Sequence, residues 1–546
     1  MGLTTRAEVS RNGPFGTPTR DRRWVTLAVL CVSLLIVSLD NTILNVALPA
    51  IVRDLHASST QLQWIVDAYA IVLAELLLSL GSLGDRIGRQ RIFVVGLALF
   101  AMGSAASAFS RSPGTLIASR AFMGIGGAAI MPSSLSILTN VFNNERERAR
   151  AIGIWSGTTG IGVSLGPILG GWLLAHFWWG SVFLVNVPIA AVGFAFALPL
   201  VPDSRNPGAY PPDLAGSLLS IAGLGLLLCA IIEAPVHGWS STLVLGSGIG
   251  GLAIVTAFVY WERVTAYPML NLRFFRDRNF SAAVTSVALV MFGMLGAFFV
   301  LTQFLQFQLG YTPLQAGVRT LPAAGAIALT APLSSELVRA VGTKLTIAAG
   351  LLSATAGLWL VSGATVTTTY GGIVAGLALV GIGAGLVIPS ATASVMGSLP
   401  RAHTGVGGAT NGTFLQVGGA LGVAVIGSLL SNRYQDRLTG ALAPYHLPDT
   451  LLGAVHGTLG SALAAAHGVG GTIGAEIARA ARAAFMSGMD LGLTTAAIVA
   501  LGAAAIALVT LPRRAPVGGR QGNTPETASS HRCAPKPGRR TASGPG

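Results

Sequence analysis

Arg120-Ala-Phe-Met-Gly124-Ile-Gly126-Gly-Ala-Ala-Ile-Met-Pro132-Ser133 returns 257 residues later as Leu377-Ala-Leu-Val-Gly381-Ile-Gly383-Ala-Gly-Leu-Val-Ile-Pro389-Ser390. Gly124 matches Gly381, Gly126 matches Gly383 and Pro132 matches Pro389, with no gap. A second pair, Gly166 and Gly170, corresponds to Gly418 and Gly422. The chain is therefore built from two related halves, and the position where the copies disagree is as informative as the agreement. Arg120 becomes Leu377. A packing role shared by both halves would not need a charge in only one of them.

Both copies lie in segments too apolar for a water-facing surface. Of 546 residues, 52% are hydrophobic and 10% charged, against roughly 25% charged in soluble domains. The mean hydropathy is +0.67. With 71 glycines and 27 prolines, the composition fits membrane helices, whose neighbours re-satisfy the backbone groups that these residues free. A span of the hydrocarbon core takes about 20 apolar residues. Such segments occur at 24–49, 61–83, 92–110, 113–139, 151–175, 182–201, 214–234, 242–261, 281–308, 316–338, 345–364, 370–398, 405–431 and 485–511. The first reads as a retained span: it is too long for the apolar core of a signal peptide and ends in Asp40-Asn41-Thr42.

The fold expected is an all-α polytopic membrane protein with fourteen spans. Residues 1–23 form an N-terminal tail, 24–201 a six-helix bundle, 202–280 two inserted helices with their linkers, and 281–511 a second six-helix bundle. That second bundle carries a long outer loop at 432–484, whose last residues, 472–484, could form a short surface helix. Residues 512–546, rich in Pro, Gly, Ser and Arg, read as a disordered tail. Two repeated bundles around a central site are the architecture of rocking transporters.

The net charge of +14 does not mark a nucleic-acid binder. Of 34 Lys and Arg residues, Arg53, Arg111, Arg319, Arg433, Arg437, Arg479 and Arg482 fall on one side and Arg120 inside a span; the other 26 share the side of the N terminus. That asymmetry places both termini in the cytoplasm of a cell-membrane protein. Cys31, Cys229 and Cys533 have no ligand or redox spacing, and the eight histidines fall in loops, tails or span ends. A metal site, a cofactor or a membrane-embedded enzyme is not expected.

Four motifs resemble the major facilitator superfamily, and within it the fourteen-span drug:proton antiporters, over about 25–511. Gly81-Ser-Leu-Gly84-Asp85-Arg86-Ile-Gly88-Arg89-Gln-Arg91 is similar to the superfamily's loop between spans two and three. Leu39-Asp40-Asn41-Thr42-Ile-Leu-Asn45-Val-Ala-Leu-Pro49 is similar to the antiporters' span-one signature. Arg120 with Gly124, Gly126 and Gly127 resembles the span-four arginine motif. Gly162-Val-Ser-Leu-Gly166-Pro167-Ile-Leu-Gly170-Gly171 resembles the span-five antiport signature. The pattern breaks at Trp178-Trp179-Gly180-Ser181, where the branch has Trp-Arg-Trp.

The resemblance implies export of a lipophilic drug or antibiotic against proton entry by a monomer in the lipid bilayer. A proton-coupled nutrient importer is the alternative. Residue chemistry assigns the parts. Gly81, Asp85, Arg86, Gly88 and Arg89 form a tight turn with a charge that can latch one transport state. Gly162, Gly166, Pro167, Gly170 and Gly171 form a close-packing, bendable helix face.

Arg120 inside a span costs at least ~2.5 kcal/mol and points to function. At 1.5 Å per residue, Asp40 lies about 13 Å from the outer end of its span, Asp67 about 9 Å, Arg120 about 10 Å and Glu75 about 21 Å. A guanidinium favours an ionised carboxyl and burial a protonated one, so an acid moving between such environments loads and releases a proton. Asp40, Arg120, Asp67 and Glu75 are the expected coupling groups; the resemblance implies a small apolar residue where Glu75 stands. Asn41, Asn45, Gln303, Gln306, Phe304, Asn411, Phe414 and Gln416 are expected to line a cavity for a bulky, largely apolar substrate.

Overall fold

Ser58 closes a capping box with Gln61 at the start of the second long helix, and Ser112 does the same with Thr115 ahead of Pro113 at the start of the fourth. These short polar punctuations convert the apolar runs into separate helices. In hydrocarbon, a helix satisfies its backbone groups within its own segment. The computed structural model describes residues 20–142, 144–205, 211–398, 404–445 and 447–511. The expected tail at 512–546 and most of that at 1–23 lie outside them.

The first half contains α1 (Arg20–Leu55), α2 (Ser59–Ile87), α3 (Arg89–Ala108), α4 (Pro113–Val141), α5 (Glu145–His176), α6 (Ser181–Leu184) and α7 (Asn186–Leu200). Then come the inserted helices α8 (Leu214–His237) and α9 (Thr242–Val264). The second half contains α10 (Arg278–Gln303), α11 (Pro313–Arg319), α12 (Leu321–Val341), α13 (Thr343–Ser362), α14 (Tyr370–Gly397), α15 (Thr404–Leu442), α16 (Asp449–Gly457), α17 (Leu459–Val469) and α18 (Gly471–Thr510). Among the described residues, fourteen helical segments are long and apolar enough to cross a membrane, with α6–α7 and α11–α12 each serving as one. This is a multi-pass membrane protein. The side on which α1 begins is called here the near face, the other the far face.

The repeat is visible in the packing. Gly162, Gly166 and Gly170 of α5 press on Ser38, Thr42 and Ile43 of α1. Their counterparts Gly418 and Gly422 of α15 press on Ala288 and Phe292 of α10. Gly126 meets Phe100 of α3, and Gly383 meets Gly350 of α13. Glycines at these crossings let the backbones touch.

The expected long loop at 432–484 is not a loop. Helix α15 runs on to Leu442, α18 begins at Gly471, and α16 and α17 lie between them. The surface helix expected at 472–484 is the first third of α18. Tyr434 donates to the carbonyl of Val455 (2.9 Å) and Ser59 to that of Gly457 (2.8 Å), so the α16–α17 cap is tied to both halves. An apolar-length criterion finds spans and overlooks helices that lie beyond the bilayer.

Candidate functional site

Three helices of the first bundle meet at Arg120. Its Nη1 lies 2.5 Å from Asp40 Oδ2, and the two side chains are 1% and 0% exposed. Its Nε donates to the carbonyl of Ile65 in α2 (3.1 Å). The guanidinium also stacks 4.3 Å from the ring centre of Tyr69, a cation–π contact strengthened by exclusion of water. Arg120 is thus held by a carboxylate, a carbonyl and a ring from α1 and α2. Gly124 and Gly127 let α4 approach α2 closely enough for this, because a side chain there would strike Tyr69 or Leu73.

Asp67 is fully buried on α2. Among the described residues, neither of its oxygens has a hydrogen-bond partner, and nor does Asp40 Oδ1. Asp67, Arg120, Asn41 and Asn45 line one cavity of about 20 Å³, closed across the bundle interface by Gln416 of α15 and Leu295 of α10. That volume suits a water molecule and falls far short of the roughly 300 Å³ at which drug-sized pockets begin.

The equivalent region of the second bundle is apolar. Leu377, in Arg120's place, borders a void of about 10 Å³ with Ala297, Phe298 and Val380. The charge asymmetry of the two halves is therefore carried through to their interiors.

Glu75 parts company with the other coupling candidates. Although nine-tenths buried, it accepts a hydrogen bond from Ser220 of inserted helix α8. It faces outward from the central cavity. Depth along α2 is a poor guide to direction: eight residues separate Asp67 from Glu75, about 80° around a helix.

The expected cavity residues also divide. Asn41, Asn45 and Gln416 line the cavity. Gln303 and Phe304 lie at the π-helical turn Phe304–Gln308 that ends α10, and Gln306 there donates to the carbonyl of Val46 in α1 (2.9 Å). Asn411 turns to Thr392 of α14 (3.1 Å), and Phe414 packs against Phe275. Tyr69, and Asn186 beside Asp40, belong to the site although their sequence context does not announce them. Tyr69 sits two residues from Asp67, the one signal that was available.

The loop motif ties the α2–α3 turn to α4 and to the segment after α7, where Arg91 lies 3.7 Å from Asp203. Gly88, at φ +131°, makes the turn between α2 and α3, a conformation that favours glycine. Asp85 pairs with Arg89 at 2.6 Å, and Arg89 reaches the Ser136 carbonyl of α4 at 3.4 Å. Gly81 abuts Pro132 of α4, and Arg86 is exposed.

The span-five motif has two jobs. Gly162, Gly166 and Gly170 bind α1, while Gly171 meets Leu314 of α11 and the Pro167 carbonyl meets Gly317 across the interface. Gly153 lies five helical turns from Gly171 on the same face of α5. At Gly153, Gly157 and Gly160, by contrast, a side chain would touch nothing within 4 Å. One stripe of α5 is therefore clamped to the second bundle at the far face and unpartnered toward the near face.

A family model described as Major Facilitator Superfamily matches residues 30–423. The chain belongs to that superfamily. Among its relatives is the multidrug efflux pump LfrA of Mycolicibacterium smegmatis, 34% identical over 92% of this chain and 98% of that one. Another is the tetracenomycin C resistance and export protein of Streptomyces glaucescens, 33% identical over 93% and 96%. A solved bacterial homologue of the lysosomal transporter Spinster, in an inward-facing and unoccupied conformation, shares the fold. Its TM-score is 0.60 at 18% identity, covering 91% of this chain and all of that one.

Proposed function

We propose that this superfamily member exports a lipophilic drug or antibiotic across the cytoplasmic membrane in exchange for protons, by alternating access and as a monomer. Its near face is cytoplasmic, the orientation that the arginine distribution favours. The observation that carries the coupling mechanism is the buried Asp40–Arg120 pair, whose Arg120 lines the cavity that holds Asp67. A proton on Asp40 cancels the charge that Arg120 answers. The guanidinium then has a second carboxyl, Asp67, within the same cavity. Exchange of partners at Arg120 would shift α4 against α1 and α2 and so link protonation to bundle motion.

The efflux pumps and resistance proteins among the relatives support export over import. The far-face clamp and the open near-face stretch of that same α5 stripe, at Gly153, Gly157 and Gly160, support a state that loads from the cytoplasm. The polar contribution of the second bundle is neutral at the cavity, supplied by Gln416. That suits a bulky apolar molecule with a few hydrogen-bonding groups.

The test uses inverted vesicles with an acidic lumen, to which ethidium, tetraphenylphosphonium and a panel of lipophilic antibiotics are added in turn. A drug-evoked rise in lumenal pH, lost in Asp40→Asn and Arg120→Ala, is the expected result. Proton movement in the opposite direction would make the protein a symporter. Silence across the panel would overturn the efflux reading.

A further inference from the structure

Inserted helix α8 lies against both α2 and α15, the pair through which the two bundles meet on this side, and α9 packs on α8. Its attachments to the two neighbours differ in balance. Toward α2, hydrogen bonds are spread along the helix beside an apolar contact with Ala70 and Ile71. Trp64 donates to Glu233 (3.3 Å) near the far face, Ser220 to Glu75 at mid-depth, and Ser79 and Ser217 share a hydrogen bond toward the near face. Ser79 also donates to the carbonyl of Asp213 (3.3 Å). Toward α15 the contact is mainly apolar: Leu228 and Ile232 of α8 meet Ala420 and Ala424 in the same cluster. Ser428 donates to the carbonyl of Ile231 there (2.8 Å). Helix α15 also bonds α2 directly, from Ser428 to Gln63 (3.2 Å) and from Thr413 to the carbonyl of Ala74 (2.9 Å), so these localised bonds must part if α15 slides.

We propose that α8 and α9 move with the first bundle as one body, and that α15 slides over the alanine-lined face of α8 as the transporter rocks. This rests on the alternating-access reading above. Directional hydrogen bonds in a dry interface resist sliding, since each broken bond leaves a polar group in hydrocarbon. Methyl-lined contacts lose little when they shift register. Gly223 and Gly251 bring α8 and α9 into backbone contact, which makes the inserted pair a single unit. In this arrangement Glu75 is a positioning residue: it holds α8 in place and lies outside the proton path.

The experiment uses full-length protein with Cys31, Cys229 and Cys533 changed to Ser, carrying spin labels on lipid-facing positions. One pair joins Leu218 of α8 to Val95 of α3, the other Leu218 to Leu352 of α13, all of them exposed. Distances are read in acid and alkaline buffer, with and without tetraphenylphosphonium. The expected result is a constant first distance and a second that shifts beyond the width of its distribution. A shifting first distance with a constant second would overturn the assignment alone and give α8 to the second bundle. Two constant distances would overturn the sliding and the transport cycle together.

Glu75→Gln keeps an acceptor for Ser220 and should preserve both the first distance and the pH profile of export. Glu75→Leu should broaden the first distance distribution. Loss of the pH dependence in Glu75→Gln would overturn the positioning role and return Glu75 to the proton path.

Discussion

Arg120 and Asp40 face each other at 2.5 Å with almost no solvent contact, while the position that repeats Arg120 in the second half is Leu377 beside an apolar void. One fold therefore contains its own control for what the pair contributes. Removing one partner leaves a buried uncompensated charge, typically worth about 3–5 kcal/mol, whereas removing both can be nearly neutral. Arg120→Leu should lower thermal stability in detergent sharply. Asp40→Asn/Arg120→Leu should recover most of that stability and still show no drug-evoked proton movement. A double variant as unstable as the single one would mean that the carbonyl of Ile65 and the Tyr69 ring, not Asp40, are what Arg120 holds together.

Asp67 should behave in the opposite way. With no hydrogen-bond partner among the described residues and full burial, it contributes little that a neutral isostere would lose. Asp67→Asn is expected to match or exceed the parent in thermal stability. Drug-evoked proton release should fall by about tenfold or more if the carboxyl is the alternative partner of Arg120, roughly 1.4 kcal/mol or more of lost coupling. Measuring both quantities on one preparation separates a structural acid from a working one.

The sequence made the spans, the duplication and the Arg120 site legible because each has a one-dimensional signature: apolar length, a fixed offset, a charge in a hydrophobic run. What stayed hidden depends on direction around a helix or on partners far along the chain. Asp67 and Glu75 sit on one helix and at depths a sequence can estimate, yet one faces the cavity and the other faces Ser220, 145 residues away. The cap at 449–469 was hidden for another reason. Its helices are short and Ala/Gly-rich, and the contacts that order them, such as Tyr434 to Val455, are tertiary.

The far-face clamp leads to a prediction about accessibility. Any side chain at Gly171 would overlap Leu314, and one at Gly317 would overlap the Pro167 carbonyl. Gly171→Val and Gly317→Val should fold, because the α1 contacts of Gly162, Gly166 and Gly170 remain intact, but they should hold α5 and α11 apart. A cysteine placed at Asn45, on the cavity wall, should then react faster with a membrane-impermeant thiol reagent added from the far face. Unchanged labelling in both variants would show that the clamp is a passive contact.

The cap extends the same argument to the far-face end of α2. Ser59, the first residue of α2, donates to the Gly457 carbonyl, and Gly460 at the start of α17 packs against Phe307 in the π-helical turn after α10. The cap thus bridges the two bundles at the far face, where the proposed export cycle opens for release. Opening has to break either the Ser59 contact or the cap's contacts with the second bundle, at Phe307 and Tyr434. Cysteines at Ser59 and Gly457, joined by a short bifunctional thiol reagent in a background without the native cysteines, should stop export while leaving substrate binding from the near face intact. Either single cysteine treated in the same way should export normally. If the cross-linked protein still pumps, the cap must travel with the first bundle, and its contacts with the second, Phe307–Gly460 and Tyr434–Val455, are then the ones that part. A second cross-link, between Phe307→Cys and Gly460→Cys, would in that case be the one that arrests transport.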